Sequence, residues 1–375
     1  MSNTLLLCAA AVPLLALAVW WLRRPSARPA TTSAPIATRS QPSLRATAPV
    51  AADASVPGQR PLPAMLAGLE WRTEEHMDPA KRDRLLGAIH DIPRPPNALQ
   101  QLLSPEFIAQ ASSSTLSEVV MTEPLIAAKV LAAVNSPLYG LQKPVSDIGQ
   151  AVTFMGIHRV RAICLQYMLA EAFPTNLPGA RKTFDALWQA SAIASEIASR
   201  LDRALLQPGA AGALATQVVL GFVGPLATAS VIPPTGLVAW LQRDRVARAR
   251  LEQDLLGLNA CEIGHLLLKS WALPQPLVED VRDSGRLIAM PPHRTAPQRL
   301  PALALACLST RLGERLALGQ MGSLEGYRLA DDEAPDMHHL RACLAHPALA
   351  RLDEVLQSPD LQGAARQTSA PVSGS

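Results

Sequence analysis

Apolar positions divide the chain into three regimes. Leu5 to Leu22 is a run of 18 apolar residues interrupted only by Pro13. At 1.5 Å rise per residue it would span roughly 27 Å, enough for a bilayer core. From Arg23 to about Pro63 the chain is rich in Pro, Ala, Ser and Thr, with almost no apolar periodicity. Such a segment cannot bury enough surface to fold, and it predicts an extended tether reaching on the order of 100 Å. From about Leu66 onward the apolar spacing becomes helical.

Ala127, Val130, Leu131 and Val134 fall at i, i+3, i+4, i+7, one face of a helix. Thr122 is placed to cap its start, Pro124 suits its first turn, and Asn135-Ser136-Pro137 ends it. Ser146-Asp147 predicts the cap of a helix from Ile148 to Met155, and Gly156 a left-handed turn after it. Val160, Cys164, Tyr167 and Met168 share one side of the next helix, and Phe184, Leu187, Trp188, Ser191 and Leu201 line another. Pro291-Pro292 and Pro297 mark a break. Leu300–Leu318, with Ala302, Leu305, Ala306, Leu308 and Leu312 inward, and Leu340–Leu356 predict two more helices. Trp71, Trp240 and Trp271 are expected in cores. The polar segment from Gln357 predicts a disordered tail. No alternating strand is visible. The expectation is an all-α helical bundle: an anchor at 1–22, a linker at 23–63, a helical domain at 64–285, a C-terminal helical extension at 286–356 and a tail at 357–375.

Composition narrows the function. Ala and Leu dominate a chain of 375 residues that is 49% hydrophobic and 4% aromatic, which favours helices. The formal net charge of +3 is too small to argue for nucleic acid. The five cysteines, Cys8, Cys164, Cys261, Cys307 and Cys343, are dispersed and odd in number. That speaks against a disulfide framework or a Cys-based zinc site. Trp20 and Trp21 end the apolar run, Arg23, Arg24 and Arg28 follow it, and no Lys or Arg precedes it. This bias predicts an uncleaved inner-membrane anchor with the folded part in the cytoplasm. A cleaved signal peptide with Ala16-Leu17-Ala18 as its processing site is the alternative, and it lacks a basic n-region. A buried helix, or a lipoprotein at Cys8, fits less well.

The stretch from Thr122 through Glu123-Pro124 to Asn135-Ser136-Pro137-Leu138-Tyr139-Gly140 resembles the signature of the HDOD domain. Val145–Gly156 resembles that family's next helix and turn, and Ile92-Pro93 with Pro95-Pro96 its opening. Leu256-Gly257 with Glu262, Gly264 and Trp271-Ala272-Leu273-Pro274 resembles a late helix pair. The likeness covers about Ala88 to Arg282. It marks Pro124, Asn135, Ser136, Tyr139, Gly140, Gly156, Trp188, Gly264, Trp271 and Pro274 as structural motif residues.

The HDOD family is similar in fold to the HD phosphohydrolases, which use His and Asp side chains to hold metals that activate water. Here the positions where those ligands are expected carry Ala190, Gly221, Phe222 and Ala260, none able to bind a metal. The resemblance therefore implies a non-catalytic bacterial signalling scaffold that binds protein partners, with no cofactor. The alternatives are a metal-dependent phosphohydrolase with an atypical site, or a DNA-binding regulator. Candidate residues remain. His90-Asp91 is an adjacent pair with only His76 upstream, His265 lies among leucines, and His338-His339 stand near Asp331, Asp332 and Asp336. A solvated or packed role suits each better than metal binding. There is no phosphate-binding Gly-rich loop and no Gly-x-Ser-x-Gly elbow. Cys164 or Cys261 as a nucleophile would need a lowered pKa. The unit around Gly156, with His158, Arg159 and Arg161 opening its second helix, has helix-turn-helix spacing.

Overall fold

The computed structural model describes residues 61–110, 112–136, 141, 143–173, 179–206 and 213–369. All lie in the second of two compact units, Gln59–Ser375. The expected anchor, most of the linker, and Pro137, Tyr139 and Gly140 fall outside the described residues.

Among the described residues there is no strand. A short helix α1 (Ala64–Ala67) precedes α2 (Pro79–His90), α3 (Asn97–Leu103), α4 (Pro105–Gln110), α5 (Ser113–Met121), α6 (Pro124–Val134), α7 (Ile148–Met155) and α8 (Ile157–Ala170). The long α9 (Arg181–Leu205) follows. After it come α10 (Ala213–Gly221), α11 (Val223–Val231), α12 (Pro234–Leu241), α13 (Arg245–Leu256), α14 (Ala260–Ser270) and α15 (Gln275–Arg286). The last four are α16 (Leu300–Ala317), α17 (Met337–Leu344), α18 (Leu352–Leu356) and α19 (Pro359–Ser369).

The axis of the fold is the pair α9 and α16, packed along their lengths. They can run close because both carry small residues where they meet. A Cβ on Gly313 would lie 2.6 Å from the carbonyl oxygen of Ala190 and 2.6 Å from the Cβ of Ala194. The sequence set 286–356 apart as an extension, yet α16 is threaded through the middle of the same unit. Ala213–Val231 is apolar and long enough to cross a bilayer, but most of it is buried here as α10 and α11.

Several elements follow their sequence signals. Asp147 caps α7 by accepting from the Gln150 amide, and Pro124 is the first residue of α6. Others differ. Thr122 does not cap α6. With Pro124 first in the helix, the cap position is Glu123, and Thr122 Oγ1 instead donates to the Val119 carbonyl at the end of α5. Gly156 has φ +82° as expected, but its ψ of 150° is extended rather than left-handed helical. Leu340–Leu356 is not one helix. Pro347 has no amide to donate and cannot continue α17, so a 3-10 turn at Pro347–Leu349 intervenes before α18. The segment beyond Gln357 is not a loose tail up to Ser369. Leu361, Ala364 and Ala365 recur at i, i+3, i+4 and bury one face of α19 against α9.

Candidate functional site

Helices α11 and α14 cross with their backbones in contact. A Cβ on Gly224 would sit 2.1 Å from the Ala260 carbonyl oxygen, and one on Gly264 would sit 2.8 Å from the Gly224 Cα. Only glycine fits on either side. This crossing brings Gly221, at the end of α10, and Ala260, at the start of α14, to the wall of one narrow cavity of about 70 Å³. Trp71, Arg245, Arg248 and Glu252 share that wall. Two of the four positions where metal ligands were expected therefore meet. The other two do not line the cavity. Phe222 is fully buried, and Ala190 is packed under Gly313.

The residues present do not fit a metal centre. Ala, Gly and Phe side chains offer no lone pair. Glu252, the cavity's carboxylate, accepts from Trp240 Nε1 at 2.8 Å and from the Ala260 amide at 2.6 Å. Burial raises its pKa. Two guanidinium groups beside it would repel a divalent cation. Among the described residues no three His, Cys, Asp or Glu side chains are grouped to hold a metal ion.

The polar chemistry is instead a set of buried ion pairs. Arg248 donates Nη2 to both Glu314 oxygens, at 2.8 and 3.0 Å, and its guanidinium lies 5.4 Å from the centre of the Trp240 ring. Burial by itself would raise the Glu314 pKa, but Arg248 and Arg245 outweigh it and hold the carboxyl below its ordinary range. Arg311 of α16 donates to Asp332 and Asp336, and Arg315 adds a bond to Asp332. Glu262 of α14 accepts from Arg282, Arg286 and Trp71 Nε1, each at 2.7 Å. Burial raises its pKa too, and these three donors reverse the shift.

Trp71 belongs to a strap that crosses α13 and the start of α14. Arg250 donates to the Met65 carbonyl, Gln253 Nε2 to the Glu70 carbonyl, and the Arg72 amide to Gln253 Oε1. The strap thus lays an indole against the cavity.

The remaining candidates are drawn into structural roles. His90 ends α2 and Asp91 follows as its cap, both exposed, while His76 Nδ1 bonds Thr73 Oγ1. His265 is buried, with Nε2 4.0 Å from Glu279, and burial lowers its pKa. The His338 and His339 rings pack edge to face, but Asp332 and Asp336 pair with Arg311 rather than with them. Burial raises the pKa of Cys164 to about 12 and that of Cys261 above its usual value, which opposes a nucleophilic thiolate. In the helix-turn-helix-like unit Arg161 is buried and donates to Thr216 Oγ1, and Arg159 pairs with Glu196 at 3.1 Å. Burial, with Arg161 and Arg203 nearby, lowers the His158 pKa.

Four of the described motif residues have the following contacts or positions. Asn135 donates Nδ2 to the Val145 carbonyl and accepts the Val145 amide, at 2.8 and 2.7 Å. Trp188 and Trp271 flank Phe173, with ring centres 6.4 and 6.2 Å from it, and Pro274 stands at the cap position of α15. Sequence reasoning missed Gly313, Phe173 and the Arg245–Arg248 pair. Only the last left a signal, two arginines at i, i+3.

Comparison with known proteins gives one clear match. The sequence pattern of the HDOD domain matches residues 92–286, just over half of the chain. No curated protein matches at a significant level. Among solved structures the chain is similar to an HDOD domain protein of unknown function from Geobacter sulfurreducens, with 19% identity and a TM-score of 0.56. That likeness covers 78% of this chain and 96% of the other. A candidate phosphohydrolase from Shewanella amazonensis SB2B has 20% identity and a TM-score of 0.48, over 76% of this chain and 97% of its own. A candidate signal transduction protein from Marinobacter aquaeolei VT8 has 20% identity and a TM-score of 0.48, over 77% and 66%.

Proposed function

The chain belongs to the HDOD domain family, and on that footing we propose that it is a non-catalytic signalling scaffold that binds protein partners. The observation that carries this reading is the wall of the cavity at the α11–α14 crossing. Gly221 and Ala260 stand where ligands would be needed, and Arg245 and Arg248 supply positive charge in place of a cation site. Activating water requires a metal or a placed base. The one carboxylate on that wall is already bonded to an indole and an amide. What the fold offers is shape: grooves between helices that can receive an apolar helix face. The run Leu5–Leu22 with its trailing arginines supports an anchor in the inner membrane of a bacterium, with the HDOD unit on the cytoplasmic side. Such a tether would raise the effective concentration of a membrane partner.

The test is enzymatic. The purified full chain, supplied in turn with iron, manganese and magnesium, is assayed on phosphodiester and phosphomonoester substrates, and its metal content is measured. No turnover and no stoichiometric metal are expected. Near one equivalent of bound metal with hydrolysis above a Gly221→Val control would overturn the proposal.

A further inference from the structure

Arg245 and Arg248 wall two spaces at once, the cavity at Gly221 and a neighbouring groove of about 170 Å³. Arg243 precedes them, and Arg311 and Arg315 enter the same groove from α16. The acidic groups of the groove are all engaged. Asp244 accepts the Val246 and Ala247 amides, Glu314 is held by Arg248, and Asp336 by Arg311. The cations are not all engaged. Arg243 is exposed and has no side-chain partner among the described residues. Arg315 donates only through Nη1, to Asp332. Arg245 is the anomaly. Its side chain is 16% exposed, yet its contacts are a 3.5 Å ion pair from Nε to Glu314 and a 3.9 Å approach of Nη1 to Cys307 Sγ. A guanidinium carries five donors, and Arg245 meets a protein oxygen only through Nε, which leaves donors for a ligand in the groove.

We infer that this groove binds a phosphoryl group, with Arg245 as its central donor, Arg243 at its rim and Arg315 facing them from α16. A carboxylate has two oxygens, which a single guanidinium fork can satisfy. A phosphoryl group has three, and they accept from several forks at once. The inference goes beyond the scaffold reading, because it gives the unit a small-molecule effector. The phosphoryl group can arrive as free phosphate or as part of a nucleotide.

Calorimetric titration of the full chain at low salt, with inorganic phosphate, adenosine triphosphate and acetate as probes, decides. Saturable binding of phosphate or the nucleotide is expected, weakening as salt rises, with acetate far weaker. The tighter of the two identifies the source. Arg243→Ala removes an exposed side chain with no structural partner, and it should weaken binding about tenfold, the loss of one charge-assisted bond. Arg245→Gln, checked for folding by circular dichroism, should abolish binding. The inference is overturned if neither phosphate probe saturates, if acetate binds as well, or if Arg243→Ala and Arg315→Ala titrate like the wild type. Turnover of the nucleotide would overturn the scaffold reading and leave the groove's assignment standing.

Discussion

Asn135 is one side chain carrying two backbone bonds. It caps the end of α6 and reaches ten residues ahead, pairing with both the amide and the carbonyl of Val145, whose side chain is buried. Asn135→Ala leaves both groups of Val145 without that partner. Each neutral hydrogen bond is worth about 0.5–1.5 kcal/mol net, so the pair is worth about 1–3 kcal/mol. Asn135→Asp keeps the acceptor and loses the donor, and it places a carboxylate against a carbonyl, so it should cost at least half as much. Ser136 makes no side-chain hydrogen bond among the described residues, and Ser136→Ala should fall within about 0.5 kcal/mol of wild type. Urea unfolding followed by circular dichroism separates the three. With a slope of about 2 kcal/mol per molar, the Asn135→Ala midpoint should drop by roughly 0.5–1.5 M. The reasoning fails if Ser136→Ala costs as much as Asn135→Ala, or if the Asn135→Ala midpoint does not move.

Three further expectations follow from the geometry. Gly224→Ala forces a methyl onto the Ala260 carbonyl and should destabilise by about 3 kcal/mol or more, whereas Gly221→Ala, with nothing within 4 Å, should be near neutral; urea midpoints report both. Burial, with His338 and His293 nearby, lowers the pKa of His339 to about 4, so the unfolded chain binds the extra proton first. The stability this residue contributes is whole above pH 6.5 and is lost as pH falls toward 4, and His339→Gln should flatten the measured slope in that window. Burial raises the pKa of Cys164 and of Cys343 to about 12 and raises those of Cys261 and Cys307. Mass spectrometry after iodoacetamide at neutral pH should find the buried Cys164, Cys307 and Cys343 unmodified in the folded protein and the half-buried Cys261 slow to react, with all four alkylated after unfolding; native labelling of Cys261 as fast as in the unfolded chain would contradict its raised pKa.

Local rules carried the helices well. The cap at Asp147, the proline opening α6 and the positive φ of Gly156 each depend on a few neighbouring residues, and each was legible in the sequence. What was not legible depends on which helices meet. Nothing local marks Gly313 as the neighbour of Ala190, because the two lie on α16 and α9, far apart in the chain. The stripe of Leu361, Ala364 and Ala365 was hidden by polar neighbours, since three apolar positions in one short helix form a weak pattern until α9 covers them. That Gly221 and Ala260 carry no metal-binding side chain could be read from the sequence, but that Arg245 and Arg248 share a cavity wall with them could not. Arg245 and Arg248 look like any solvated pair until the fold shows them walled in.

The strap from Met65 to Arg72 also bears on mechanics. Chain drawn away from its N-terminal side would load the Arg250–Met65 bond first, then Gln253–Glu70, then Trp71–Glu262. Contacts arranged in series along a line of pull release one at a time, like a zip, at lower force than contacts loaded together. The packed pair α9 and α16 lies beyond that line. A pull applied at Met65 would therefore reach the bond that holds the Trp71 indole to Glu262 only after the two before it had parted.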